Sequence, residues 1–139
     1  MAGNTLLLDT NILLHALIAP QRLPAQTRTD LIEAQNRVLF STASLWEIAI
    51  KSSLNRADFN FDSADIERLA EATGFELLPI LPEHCHTVAK LPWHHRDPFD
   101  RLLIAQTLSL PAYFLTSDSM LTPYSQLVTP TPRAAAASF

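Results

Sequence analysis

Three short apolar runs, each ending in residues suited to cap a helix, constrain this chain more than anything else in it. Leu6-Leu7-Leu8 is followed by Asp9-Thr10-Asn11, Val38-Leu39-Phe40 by Ser41-Thr42, and Tyr113 to Thr116 by Ser117-Asp118. Successive side chains of a strand point to opposite faces, so a run that is apolar at every position must be covered on both. Short polar side chains directly afterwards satisfy the free amides of a helix's first turn. The repeated unit is a buried strand feeding a helix. It predicts an α/β fold, a three-layer α/β/α sandwich around a central, mostly parallel sheet.

The segments between these runs fit that plan. Ile12 to Leu17 continues the first helix, and Pro20 and Pro24 punctuate a loop before a second helix over Ala25 to Ala34, with Leu31 and Ile32 as core contacts. After Ser41-Thr42 a long helical pattern runs to about Leu54, with Leu45, Ile48 and Ala49 on its core side. Asp62-Ser63 opens a helix that Gly74 ends after Thr73, Phe75 to Leu81 reads as a strand, and Pro82 starts a helix ending near Lys90. Asp97 stands as N-cap before Pro98 in a helix reaching Leu110, with Asp100 beside its positive end. A short strand is expected near Leu127 and Val128. Residues 1–128 thus read as one domain and 129–139, with two prolines and four consecutive alanines, as a loosely held tail.

Bulk properties narrow the function. At 139 residues and 47% apolar composition the chain has material for one core. No apolar run approaches the roughly 20 residues of a membrane-spanning helix, and the start lacks the pattern of a secretory signal. Cys85 is the single cysteine, which excludes an internal disulfide and fits a reducing, cytoplasmic setting. A net charge of −4 argues against a broad basic surface for nucleic acid.

Chemistry concentrates in the acids. In parallel sheets ligands gather beyond the carboxyl ends of the strands, where Asp9 and Asp118 stand. Asp9 taken alone is also explained as a helix cap, but Thr10 and Asn11 can cap equally well. Glu47 shares a helix face with Ser44 and Lys51; by itself it reads as half of an exposed ion pair with Lys51. Asp100 is favoured over Asp97 as a ligand because Asp97 is accounted for as the cap. Together Asp9, Glu47, Asp100 and Asp118 predict a carboxylate cluster for Mg2+, with Mn2+ able to substitute, since oxygen donors suit hard cations. There is no Cys-x-x-Cys or His-Glu-x-x-His spacing, and His84-Cys85-His86 and His94-His95 do not supply a closed zinc site. Removing the four acids leaves 10 acidic against 10 basic side chains, and two divalent cations would cancel the −4 that those acids contribute, so such a metal-loaded form is near neutral.

The order of these motifs resembles the PIN-domain family, in particular the VapC-like toxins of toxin-antitoxin pairs, up to about Val128. The matching segments are Leu6 to Asn11, Ser41 to Lys51, Asp97 to Gln106 with its Asp-Pro-Phe-Asp-Arg run, and Leu115 to Asp118. The resemblance implies an α/β/α nuclease fold, metal-dependent cleavage of RNA, a homodimer, and inhibition by a small cognate antitoxin. Carried over, it implies Asp9, Glu47, Asp100 and Asp118 as the catalytic and metal-binding set. Asn11, Ser44 and Thr116 follow as supporting polar residues, with Asp97 in a supporting role beside them. Apart from the resemblance, Arg101, Lys51 and Arg96 are candidate phosphate contacts, because cations near the acids recover affinity for RNA, although each by itself reads first as an ordinary surface charge; Trp46 and Trp93 read as packing residues rather than base-stacking platforms.

Two other readings compete. A magnesium-dependent phosphohydrolase with Asp9 as nucleophile also fits a strand-end aspartate, although such enzymes commonly carry a second acid two residues on, where this chain has Asn11. A non-catalytic protein-binding module, its acids serving only as caps, is the other. A phosphorylated Asp9 marks the first, and absence of a tight manganese site the second.

Overall fold

The computed structural model describes residues 2–54 and 57–131. Among these residues five strands form one sheet: β1 (Thr5–Leu8), β2 (Arg37–Ser41), β3 (Glu76–Leu78), β4 (Tyr113–Thr116) and β5 (Val128–Pro130). Their order is β3-β2-β1-β4-β5 and every pairing is parallel. Six α-helices accompany them among the described residues: α1 (Thr10–Ile18), α2 (Ala25–Ile32), α3 (Thr42–Ser53), α4 (Ser63–Thr73), α5 (Pro82–Lys90) and α6 (Pro98–Ser109). Short 3-10 turns span Pro20–Arg22 and Ser119–Tyr124.

The apolar runs are buried on both faces, as their composition requires. Leu6, Leu8, Val38 and Phe40 pack on one face with Ile12 and Leu13 of α1, Ile48 of α3 and Ile66 and Ala70 of α4. Leu7, Leu39 and Phe114 pack on the other with Leu102, Leu103 and Ile104 of α6 and Leu91 just beyond α5. Both sheet faces are therefore sealed by helices, and the polar ends of the strands are the accessible places for chemistry. None of the described helices is long and apolar enough to cross a membrane.

The chain builds β1, β2 and β3 outward in one direction, then returns to place β4 on the other side of β1. Connections leaving β1 and β4 diverge at this reversal and open a crevice at their carboxyl ends. Local signals fix the helices that enter it. Ser41 caps α3 by accepting from the Ala43 amide, and Asp97 caps α6 by accepting from Phe99 and Asp100, with Pro98 at the first helical position. Gly74 ends α4 at φ 98°, a left-handed conformation that favours glycine.

Some expectations from sequence are corrected. Ile32 is 83% exposed and Ala49 is exposed, so neither contributes to the core. The third strand stops at Leu78, ahead of Pro79, which has no amide to continue the ladder. Thr129–Thr131, expected in the tail, are paired instead: β5 runs to Pro130, and the Thr131 amide donates to the Thr116 carbonyl at 2.7 Å. The rest of the expected tail, residues 132–139, lies outside the described residues.

Candidate metal centre

Asp9 leaves β1 at the crevice with its amide bonded to the Leu115 carbonyl of β4 at 2.9 Å. It occupies the N-cap position of α1, yet its carboxylate makes no capping hydrogen bond. That carboxylate accepts from the buried Thr116 hydroxyl. Thr116 Oγ1 in turn accepts from the Asp118 amide at 3.0 Å, so one threonine ties the ends of β1 and β4 together.

Glu47 approaches from α3 and is buried, only 6% exposed. Thr10 Oγ1 lies 2.6 Å from Glu47 Oε1 and 2.9 Å from Ser44 Oγ. A hydroxyl has one proton; with Glu47 receiving it, Ser44 can donate into Thr10 and the buried chain is satisfied. Lys51 Nζ donates to the other Glu47 oxygen at 2.6 Å. The ion pair anticipated as a bland account of Glu47 is present, but its carboxylate end is inside the protein.

Asp100 and Asp118 complete the crevice with His95. Asp118 caps the following 3-10 turn through the Met120 amide, leaving Oδ2 3.2 Å from His95 Nε2. Asp100 Oδ2 lies 3.8 Å from His95 Nδ1. Ligand atoms of His95, Asp100 and Asp118 lie within 4.8 Å of one another, the one such group of His, Cys, Asp or Glu among the described residues.

Electrostatics record how closely the acids face each other. Burial, followed by the charges of Asp9, Asp97, Glu47 and Asp118, raises the Asp100 pKa from 3.8 to about 8. Asp9 rises from 3.8 to about 6, chiefly by burial, with Glu47 adding repulsion and the Thr116 hydroxyl and the Thr10 and Asn11 amides opposing it. Four sequence-nominated acids and Asp97 thus share one field, which favours taking up positive charge. The donors are carboxylate oxygens, and the one cysteine is exposed on α5. This set fits a hard divalent cation.

The other nominated residues divide. Ser44 and Thr116 are fully buried beside the acids, Asp97 caps α6, and Asn11 is exposed at the second position of α1. Arg101, a candidate phosphate contact or ordinary surface charge from sequence, is a correction on both counts: it is 3% exposed. Its guanidinium donates to the carbonyls of Pro92 at 2.8 Å and Val88 at 3.0 Å and to the Tyr124 hydroxyl at 3.2 Å. Five fixed donors suit it to gathering carbonyls from a loop, a role invisible in a local sequence window. Trp93 covers it, ring centroid 3.8 Å from Cζ, and Trp46 packs edge-on against Phe99 at 5.1 Å. Both tryptophans remain largely at the surface, 54% exposed for Trp46 and 76% for Trp93.

Thr10 and His95 are the polar members that sequence reasoning undervalued. From sequence alone Thr10 reads as a cap. His95 stands two residues before the Asp97 cap, a position from which a loop side chain can fold back over the helix start. His84 is buried, its Nδ1 accepting the Leu81 amide at 2.9 Å, as a local capping group rather than a ligand.

Comparison with known proteins agrees with this architecture. A family profile described as PIN domain matches residues 6–125, and the chain belongs to the PIN-domain family. Its structure is similar to that of VapBC2 from Rickettsia felis bound to a promoter DNA fragment, with TM-score 0.65 at 13% identity over 94% of this chain and 99% of the other. It is also similar to VapBC-5 from Mycobacterium tuberculosis, a toxin-antitoxin system, with TM-score 0.54 at 20% identity over 88% and 92% of the two chains. VapBC-1 from nontypeable Haemophilus influenzae gives 0.55 at 17% identity over 82% and 87%. At these identities the likeness is one of fold. No curated protein matches the chain significantly.

Proposed function

We propose that this chain is a divalent-metal-dependent endoribonuclease and the toxin member of a toxin-antitoxin pair. The observation that carries the reading is the carboxylate cluster at the β1–β4 reversal, with Asp100 raised to about 8 by burial and by acids from four other positions. A site that stores this much repulsion between neighbours on a PIN-domain scaffold is suited to Mg2+ or Mn2+.

Asp9, Glu47, Asp100 and Asp118 are the residues that would hold the cation. When bound, it supplies positive charge that acidifies water and offsets the charge building on a phosphodiester. Thr116 fixes Asp9, and Thr10 with Lys51 fixes Glu47, so the acids need little reorganisation to act. Lys51, its side chain 44% exposed, and exposed Arg96 offer positive charge for a phosphate backbone. They partly answer the chain's net charge of −4.

Cleavage of an RNA substrate by the purified chain, dependent on added Mg2+ or Mn2+ and stopped by chelation, tests the reading. Asp9→Asn is expected to lower cleavage at least ~100-fold with the fold intact. Undiminished cleavage by that variant refutes the assignment. A trapped phosphoaspartate at Asp9 instead supports the phosphohydrolase alternative, and no tight Mn2+ site supports the binding module. The same reading includes a small antitoxin whose basic side chain enters the acidic crevice, and a homodimer. Relief of growth arrest by an adjacent short reading frame tests the former, and light scattering of the purified chain tests the latter.

A further inference from the structure

Beside the acids, His95 is held in a way that defines its role, and this inference rests on the metal-centre reading above. Its Nδ1 accepts a hydrogen bond from the Asp97 amide at 3.1 Å. An acceptor nitrogen carries no proton, so in this arrangement the ring proton is on Nε2. Nε2 lies 3.2 Å from Asp118 Oδ2, so the nitrogen that bears the proton is the one beside that carboxylate. A nitrogen that bears a proton has no lone pair in the ring plane to give a cation. His95 therefore lies within reach of the centre while facing it as a donor.

The loop that carries His95 is itself fastened. The His95 amide donates to the Tyr124 hydroxyl at 2.9 Å, and Arg101 reaches the same hydroxyl while gathering the Val88 and Pro92 carbonyls. His94 packs edge-on against the Tyr124 ring, with centroids 4.9 Å apart. Arg101, Tyr124 and the Asp97 amide thus fix the position and orientation of the imidazole.

We propose that His95 is a positioning residue of the metal centre, which aims the Asp118 carboxylate through Nε2–H and leaves the cation an all-oxygen ligand set. Hydrogen bonds that orient ligands typically change metal affinity 10–100-fold when removed. The geometry also gives Asp97 a second task besides capping α6: its amide selects the His95 tautomer.

Isothermal titration of the intact chain with Mn2+ tests this, with thermal melting of each variant alongside. His95→Ala is expected to weaken Mn2+ binding about 10–100-fold, whereas His95→Gln, whose amide can donate to Asp118, stays within about 3-fold of the parent. Pulsed electron paramagnetic resonance of the Mn2+-loaded parent chain is expected to show no directly coordinated imidazole nitrogen. Unchanged affinity in His95→Ala, equal losses in Ala and Gln variants, or a coordinated imidazole each overturn the proposal. If Asp9→Asn abolishes Mn2+ binding while His95→Ala does not affect it, the metal centre stands and only the role of His95 fails. A parent chain that binds no Mn2+ overturns both.

Discussion

Replacing Asp100 with Asn separates what the carboxylate does for folding from what it would do in the proposed metal site. The perturbation is close to isosteric, and the Asp100 amide keeps its hydrogen bond to the Asp97 cap. Burial and neighbouring acids raise the Asp100 pKa from 3.8 to about 8. At ~1.4 kcal/mol per tenfold change in proton affinity, full ionisation in the folded state costs at most about 6 kcal/mol. The side chain remains 16% exposed, and solvent together with sharing of the proton among coupled acids reduces this; about 1–3 kcal/mol is expected. Against it stands the loss of a favourable charge at the start of α6, about 0.3–1 kcal/mol. The repulsion wins. In chelator at about pH 8.5, Asp100→Asn should therefore be more stable than the parent by roughly 1–2 kcal/mol.

At about pH 5 that gain should shrink to roughly a third, and below about pH 4 it should vanish, because the cost accrues only between the unfolded value of 3.8 and the folded value of about 8. A raised acid pKa means that the folded state holds more protons than the unfolded state. Metal-free stability should accordingly fall as pH rises from about 4 to about 8, and Mn2+ affinity should rise over the same window. Urea denaturation followed by circular dichroism, at both pH values and with and without Mn2+, measures all of this. Mn2+ should stabilise the parent and leave Asp100→Asn nearly unchanged. Equal destabilisation of the variant at both pH values, or an undiminished response to Mn2+, refutes the argument from carboxylate repulsion.

The buried polar network yields further expectations. Thr116→Val removes the hydroxyl that donates to Asp9 and accepts from the Asp118 amide; a loss of about 1–3 kcal/mol is expected by urea denaturation, with weaker Mn2+ binding by titration. Arg101→Ala should cost about 2–4 kcal/mol by leaving loop carbonyls and the Tyr124 hydroxyl without a partner, and it should leave the salt dependence of RNA binding unchanged. Arg96→Ala should do the reverse, with stability within about 0.5 kcal/mol of the parent and a salt slope shallower by about 1. Salt titrations of both variants by fluorescence anisotropy separate the two roles.

Much of the fold was legible locally because the signals were local. Leu6-Leu7-Leu8 and Val38-Leu39-Phe40 have no polar face to give to water, so burial between helices is forced by composition. Asp97-Pro98 and Gly74 mark helix ends through backbone chemistry that acts within a few residues. Legibility failed where neighbours distant in sequence decide. Ile32 is apolar, but α2 ends with that side chain facing outward. Arg101 looks like a surface cation until the carbonyls of Val88 and Pro92 are brought around it. Thr129 and Pro130 look like tail until β4 offers them a ladder.

The amino-acid order by itself determined that buried strands alternate with capped helices, and that acids stand at strand ends and helix starts. Those are properties of side-chain polarity and backbone preference over short spans. Only the tertiary structure decided that β4 returns beside β1, which brings Asp9 and Asp118 to one crevice and lets α3 and α6 add Glu47 and Asp100. It alone turned Thr10, Thr116 and His95 toward those carboxylates. The reason is range: caps and periodicity act over a few residues. The repulsion that raises Asp100, and the hydrogen bonds that hold its neighbours, exist only once segments about a hundred residues apart are packed within a few ångströms.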